Sequence, residues 1–431
     1  MKSFYIHTMG CKSNQFESSI IRENLIENGF AEVQNIKDAD YFILNSCTVT
    51  HKSDNEAFYL LRNAKHKKPD IKNVLTGCIA QIEKEKLLEY DFIDIVIGND
   101  EKLEIAGKLL NGDAEYCCFA GNIMTLKDFH KAVLNNTSKT RASLKIQDGC
   151  DNRCSYCIIP FARGKSRSAD IDFIIEQMNR FSKSGFKEIV FTGIHIGQWG
   201  KDLGLSLLDL LKQVEEKSTI ERYRLGSLNP LEITDELLEF LSKSEKFCPH
   251  FHLSLQSACN KTLKSMNRFY SVESYLDLID KINQIFDKPF LGSDIITGFA
   301  GETDEDFEIT RRNLEQSGLS QIHTFPYSLR EGTVGAKSQE QVAEKVKEQR
   351  AEIVKRISKE KYNAFIKKNI GSVHEILIEK HPDKKTGLLK GVTRNYLTVV
   401  LDSRDEQLLN SLTNVQITHC ENERILGKIV E

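Results

Sequence analysis

Short apolar runs and amphipathic stretches alternate along most of this chain. In the first part, residues 4–7, 41–44, 73–75 and 92–97 are β-rich runs of strand length. Between them lie stretches with apolar positions at helical spacing, such as 18–28 ahead of Gly29. The alternation then repeats six times, with strands expected at 143–147, 188–192, 223–226, 251–255, 291–296 and 321–325. Such alternation predicts parallel sheets, and six successive units suit a partial barrel whose site lies at the carboxyl ends of the strands. A long helical pattern at 337–368 follows, and then β runs at 373–379, 386–392, 397–401, 414–419 and 425–430 that read as a small barrel. The expected architecture is an N-terminal parallel α/β domain over 1–112, a linker at 113–139, a central partial (β/α)6 barrel over 140–336, a helical linker at 337–370, and a small C-terminal β-barrel over 371–431.

A chain of 431 residues is too long for one ordinary core, which agrees with several domains. No apolar stretch approaches the roughly 20 residues needed to span a bilayer, so no membrane association is expected. The start, MKSFYIHTMGCKS, carries too short an apolar run for a secretory signal and points to a reducing cytoplasm. There, clustered cysteines read as metal ligands before disulfides. A formal net charge of -3 gives no global footprint for nucleic acid, so any RNA contact has to be local.

Six of the eleven cysteines form two groups of three. Cys150, Cys154 and Cys157, in DGCDNRCSYC, follow the first strand of the central barrel. Three thiolates can hold three irons of a 4Fe-4S cube and leave the fourth iron open to a substrate, whereas a storage cluster is normally closed by four. A zinc site is the alternative, but it needs a fourth Cys or His at paired spacing, and none follows closely. Cys11, Cys47 and Cys78 each follow an expected strand, so one edge of one parallel sheet can gather them. The competing reading is three inert buried cysteines; the flanking Gly10 and Gly77 favour ligands, because glycine lets backbone approach a bulky group. Cys117, Cys118, Cys248, Cys259 and Cys420 show no ligand spacing. His195 and His252, near strand ends, read as structural groups.

The segments CSYCIIPFARGKSRS, TGIHIGQWG, LQSACNKTLKSMNRFYS and DIITGFAGETDEDF resemble the radical S-adenosylmethionine methylthiotransferases, over essentially the whole length. The resemblance implies two 4Fe-4S clusters and S-adenosylmethionine. The second-triplet cluster would cleave the cofactor to a 5'-deoxyadenosyl radical, the first-triplet cluster would carry the inserted sulfur, and a second S-adenosylmethionine would give its methyl group. The wording TMGCKSNQFES, NSCTVT, GCIAQ, KIQDGC and TGIHIG is similar to the branch that modifies carbon 2 of N6-threonylcarbamoyladenosine at tRNA position 37, in the anticodon loop. It looks less like the isopentenyladenosine branch or the branch acting on a small-subunit ribosomal protein. A zinc-stabilised RNA-binding module without catalysis is the remaining alternative.

By the same resemblance and by strand-end position, Tyr156, Gly193, Ser227, Gln256 and Asp294 are expected in the cofactor pocket. Ala300, Ala258-Cys259 and Val334 depart from the family's commoner residues and loosen loops without removing a ligand. GLLKGVTRNYLTVVL resembles a TRAM domain, and an RNA patch is expected at Lys380, Lys384, Lys385, Lys390 and Arg394, with Tyr396 as a stacking surface. The 337–368 helix, with ten Lys or Arg against five Glu, is either part of that footprint or a solvated face. An electron donor and a sulfur source are also called for, and neither leaves a motif here.

Overall fold

Apolar runs covered on both faces build the first sheet. The computed structural model describes residues 1–110, 117–135 and 139–430. Strands β1 (Ser3–Thr8), β2 (Ala31–Glu32), β3 (Tyr41–Ser46), β4 (Lys72–Gly77), β5 (Ile95–Ile97) and β6 (Cys117–Phe119) pair in the order β2-β1-β3-β4-β5-β6, all parallel. Helices α1 (Lys12–Glu27), α2 (His51–Lys67), α3 (Cys78–Glu83) and α4 (Ile105–Leu110) flank it. Leu44, Leu75 and Val96 pack into one core, and Phe4, Ile43, Val74 and Ile95 into the other, the burial typical of parallel strands.

Several local expectations are corrected. β2 and β6 are too short to leave a pattern, and β6 lies in the stretch expected as a linker. The 92–97 run is strand only from Ile95. Helix α1 begins at Lys12, well before the expected start at 18, because Ser13, Asn14 and Glu17 are polar yet buried. An apolar period cannot reveal such a turn, and the cap position holds Cys11 without a side-chain cap bond.

The central strands follow in order: β7 (Ala142–Lys145), the short antiparallel pair β8 (Gln147–Asp148) and β9 (Arg167–Ser168), then β10 (Glu188–Thr192), β11 (Arg222–Arg224), β12 (Ser227–Leu228), β13 (His250–Leu253), β14 (Phe290–Thr297) and β15 (Gln321–Pro326). β7, β10 and β11 form one parallel sheet and β12 to β15 another. The third expected strand is thus broken at Leu225 and Gly226, where the partial barrel changes sheet. Helices α5 (Ile159–Arg163), α6 (Ile171–Lys183), α7 (Leu207–Lys217), α8 (Asp235–Lys243), α9 (Asn260–Ser265), α10 (Val272–Ile285) and α11 (Asp304–Gln316) complete the units. Side-chain oxygens of Asp170, Ser206, Thr234, Ser271 and Thr303 cap five of them, satisfying donors that a helix start leaves free. Leu144, Phe191, Phe251 and Leu291 pack against Ile174, Met178, Leu210 and Ile279 of the helices. The alternate positions are polar and pair with one another: Glu188 accepts from Arg222 and Arg224, each at 2.7 Å, and His252 lies 2.9 Å from Asp294.

Helix α12 (Glu344–Asn369) lies along the last strands, burying Lys347, Arg350, Val354 and Ile357. It is not a free basic linker, since Arg350 is paired with Glu302 at 2.7 Å. β16 (Val373–Ile378), β17 (Lys390–Thr393), β18 (Thr398–Leu401), β19 (Leu412–Glu421) and β20 (Arg424–Ile429) close a barrel in the order β16-β17-β18-β20-β19. β17 starts four residues later than expected because Asp383 holds Thr386 in a turn. This barrel is built into the central one. Arg222 donates to the Val392 carbonyl at 3.0 Å, Arg224 donates to those of Thr393 and Arg394 at 2.6 Å, and Phe290 shares a core with Phe365 and Leu397.

Candidate active site

Cys11, Cys47 and Cys78 stand at the carboxyl ends of β1, β3 and β4, which are neighbours in the sheet. Their loops are laced together. The Asn14 amide donates to the carbonyls of Met9 at 2.9 Å and Ser46 at 2.8 Å, and the Ser46 hydroxyl donates to Thr76 O at 2.6 Å. Gly10 and Gly77 have φ of 84° and 92°, and a Cβ on Gly10 would lie 2.6 Å from Cys47 Cβ. One on Gly77 would lie 2.4 Å from Ser46 O. The two glycines therefore bring neighbouring strand ends together, a nearer reason than approach to a cluster. Burial, then the nearby thiols of Cys78 and Cys11, push the Cys47 thiol up to about 12. A metal group must displace that proton to bind.

The second triplet lies on the loop between β8 and α5. Gly149, at φ 72°, makes its turn possible: a Cβ there would meet Lys165 O at 1.9 Å. Cys150 Sγ is 3.5 Å from His195 Nδ1, and His195 Nε2 is 2.5 Å from Glu232. Burial disfavours the imidazolium, but Cys150 and Glu232 outweigh it and raise His195 to about 9. Arg268 donates to Cys154 Sγ at 3.5 Å. Burial, with Cys154 and Cys150 close by, raises Cys157 to about 12. The contact of His195 with a thiol of the triplet is not visible in its sequence context, and Arg268 stands out only in the fold. His195 faces its thiol from beyond the end of β10, and Arg268 from the turn between α9 and α10. Their one sequence signal is their place in the TGIHIGQWG and NRFYS segments.

One cavity of about 400 Å3 joins the triplets, with Cys11 on one wall and Cys157 on another. Tyr156, Gln256 and Asp294 also line it, together with Phe325 and Tyr327. Gly193 and Ser227 do not. Gly193 packs on Gln147, and Ser227 meets the Ser254 hydroxyl at 3.0 Å. Among the described residues no three His, Cys, Asp or Glu side chains converge on a single-ion site. A lone zinc needs that convergence, whereas a cube meets each thiolate at a different iron. Cys150, Cys154 and Cys157, three thiols on one loop, are the donor set of a cube with one open iron.

The expected RNA patch is largely engaged within the protein. Lys380 sits 4.3 Å over the Phe186 ring, Lys390 pairs with Glu379 at 3.3 Å, and Arg394 donates to Phe247 O at 2.7 Å. Tyr396 packs on His250 at 4.2 Å between centroids, with the Arg141 and Arg224 guanidiniums 5.7 and 5.1 Å from its ring. Of the group's lysines, Lys384 and Lys385 are the exposed pair.

Residues 3–98 match a family described as "Uncharacterized protein family UPF0004", and residues 144–314 match the Radical SAM superfamily. The threonylcarbamoyladenosine tRNA methylthiotransferase MtaB of Bacillus subtilis is 34% identical, over 97% of this chain and 94% of its own. The chain belongs to the radical SAM methylthiotransferases. A second relative of this family, the tRNA-2-methylthio-N(6)-dimethylallyladenosine synthase of Acetivibrio thermocellus, is 32% identical over 100% of this chain and 91% of its own. In fold, the methylthiotransferase chain is similar to the radical S-adenosylmethionine methyltransferase TsrM of Kitasatospora setae, with a TM-score of 0.58 and 13% identity over 78% and 77% of the two chains. Radical SAM membership brings a 4Fe-4S cluster and S-adenosylmethionine to this enzyme. Among the described residues no helix is long and apolar enough to cross a membrane.

Proposed function

We propose that this enzyme methylthiolates carbon 2 of N6-threonylcarbamoyladenosine in the anticodon loop of tRNA, at position 37, in the cytoplasm. The observation that carries the reading is the shared cavity, which has a thiol of each triplet on its wall. Cys150, Cys154 and Cys157 would hold the radical-initiating cube and Cys11, Cys47 and Cys78 a second one. When bound, the first supplies the electron that cleaves S-adenosylmethionine and the second supplies sulfur. The chain's own part is placement. His195 and Arg268 hold the side chains of Cys150 and Cys154, at 3.5 Å each. Tyr156, Gln256 and Asp294 shape the cofactor's side of the cavity, and Phe325 and Tyr327 give it an apolar wall. The threonylcarbamoyl substrate is supported over the dimethylallyl one by the name of the relative at 36% identity, that of Rickettsia prowazekii, against 31–34% for the dimethylallyl-named relatives.

Two variants test the division of labour. Cys154→Ala should abolish formation of 5'-deoxyadenosine. Cys47→Ala should keep that cleavage but yield no methylthio product, and iron should fall from about eight per chain to about four. Product from a triple variant at Cys11, Cys47 and Cys78 would refute the sulfur role. Mass spectrometry of tRNA nucleosides from cells with and without the gene identifies the adenosine.

A further inference from the structure

A second large cavity, of about 470 Å3, opens where all the folded parts meet. Lys12 and Gln15 reach it from the first turn of α1, Lys139 and Arg141 from the segment entering β7, and Glu379 and Tyr396 from the C-terminal barrel. Three cations thus face one carboxylate. That carboxylate is already shared, since Glu379 lies 3.7 Å from Arg141 and 3.3 Å from Lys390. Glu188, 3.9 Å from Arg141, has both oxygens engaged by Arg222 and Arg224. Lys139 donates to Gln15. Burial lowers the Lys12 ammonium first; among its charged neighbours Tyr396 supports the charge, and Arg141 and Arg224 oppose it. A cleft lined mainly by one sign of charge concentrates a ligand of the opposite sign.

The ligand's distance from the chemistry is set by the chain. Cys11 lines the thiol cavity and Lys12 lines this one. Their α-carbons are about 3.8 Å apart, so the start of α1 is a wall common to both cavities. Arginine's planar fork and two ammonium groups suit an oxyanion.

Resting on the substrate reading above, we propose that this cleft binds an oxyanion of the RNA substrate next to the reacting base. Two groups carry it, the threonyl carboxylate on N6 and the backbone phosphate of the same nucleotide. The test compares two anticodon stem-loop RNAs, one bearing N6-threonylcarbamoyladenosine and one bearing plain adenosine, binding to cluster-loaded enzyme across a salt series. Arg141→Gln and Lys139→Gln should each weaken binding of the modified RNA roughly tenfold or more, with thermal unfolding reporting an intact fold. Lys139 is exposed, so its variant remains informative if Arg141→Gln unfolds. Loss confined to the modified RNA assigns the carboxylate. Equal loss on both RNAs, with a flatter salt dependence, assigns the phosphate. If both folded variants bind both RNAs as the wild type does, the inference is overturned. If the wild type itself binds neither RNA, the substrate reading fails first.

Discussion

Arg163 donates to Asn14 Oδ1 at 2.5 Å across the boundary between the N-terminal domain and the central barrel. The same guanidinium meets Glu17 at 2.5 and 3.1 Å and Asp148 at 3.4 Å. Asn14 holds the backbone just before Cys11 and Cys47, and Asp148 lies just before Cys150. One fully buried side chain therefore ties both triplets into one frame. Lys145 joins Glu17 and Asp148 at 2.7 Å each, and Lys102 donates to Asn99 at 2.7 Å, whose amide is 4.0 Å from Cys78 Sγ.

Arg163→Met should therefore destabilise the fold by about 3–5 kcal/mol, because it takes from buried Glu17 its main partner and from Asp148 its second, after Lys145. Arg163→Lys keeps the charge but not the fork, and should lose less stability while disturbing the spacing of the triplets. Its expected signature is more 5'-deoxyadenosine per methylthio product than the wild type makes. Equal ratios in the two enzymes would show that the guanidinium geometry does not set that spacing.

Gly10→Ala should strain the Cys47 strand end, at a cost of about 1–3 kcal/mol for a left-handed non-glycine residue in a crowded site. Iron should drop by about half while formation of 5'-deoxyadenosine continues. Gly149→Ala should do the reverse and stop cofactor cleavage, since its Cβ would collide with Lys165 O. Iron analysis and deoxyadenosine assays on the two variants check this, and identical losses would contradict it.

Glu188 offers a test at low pH. Burial opposes its charge, but Arg224 and Arg222 outweigh burial and hold its carboxyl at about 2, below an ordinary value of 4.5. A depressed folded value gives stability that is complete above the unfolded pKa and is lost as pH falls from about 4.5 towards 2. The contribution is about 3 kcal/mol. Urea unfolding of metal-free protein between pH 6 and 3 should show the wild type losing stability more steeply than Glu188→Gln, which starts lower. Parallel profiles would place the acid sensitivity elsewhere.

The six thiols and the alternating strands are legible in the sequence because ligand spacing and apolar runs are written locally. The start of α1 is not, because Asn14 and Glu17 are polar residues buried against Arg163, a partner far away in sequence. Lysines that neighbour one another in sequence also do not reveal which amines are engaged. Lys380 rests on Phe186 and Lys390 on Glu379, and only the fold brings those partners in. The cleft at Lys12, Lys139 and Arg141 escapes a sequence reading for the converse reason, since its charges come from segments that look unremarkable alone.

These buried pairings decide how the C-terminal barrel should be tested. A truncation after Asn369 would remove the Val392, Thr393 and Arg394 carbonyls that accept from Arg222 and Arg224, both almost wholly buried. It should leave buried donors unsatisfied, at about 1–3 kcal/mol or more each, and also strip Phe290 of its core. Poor folding of that fragment would say nothing about RNA. The exposed pair Lys384 and Lys385 is the sounder probe. Replacing both with glutamine should leave the thermal unfolding midpoint unchanged and weaken tRNA binding. It should also flatten the slope of log affinity against log salt by roughly 0.7 to 0.9 for each phosphate that a lysine no longer neutralises. An unchanged slope would mean that this face of the barrel does not touch the RNA backbone.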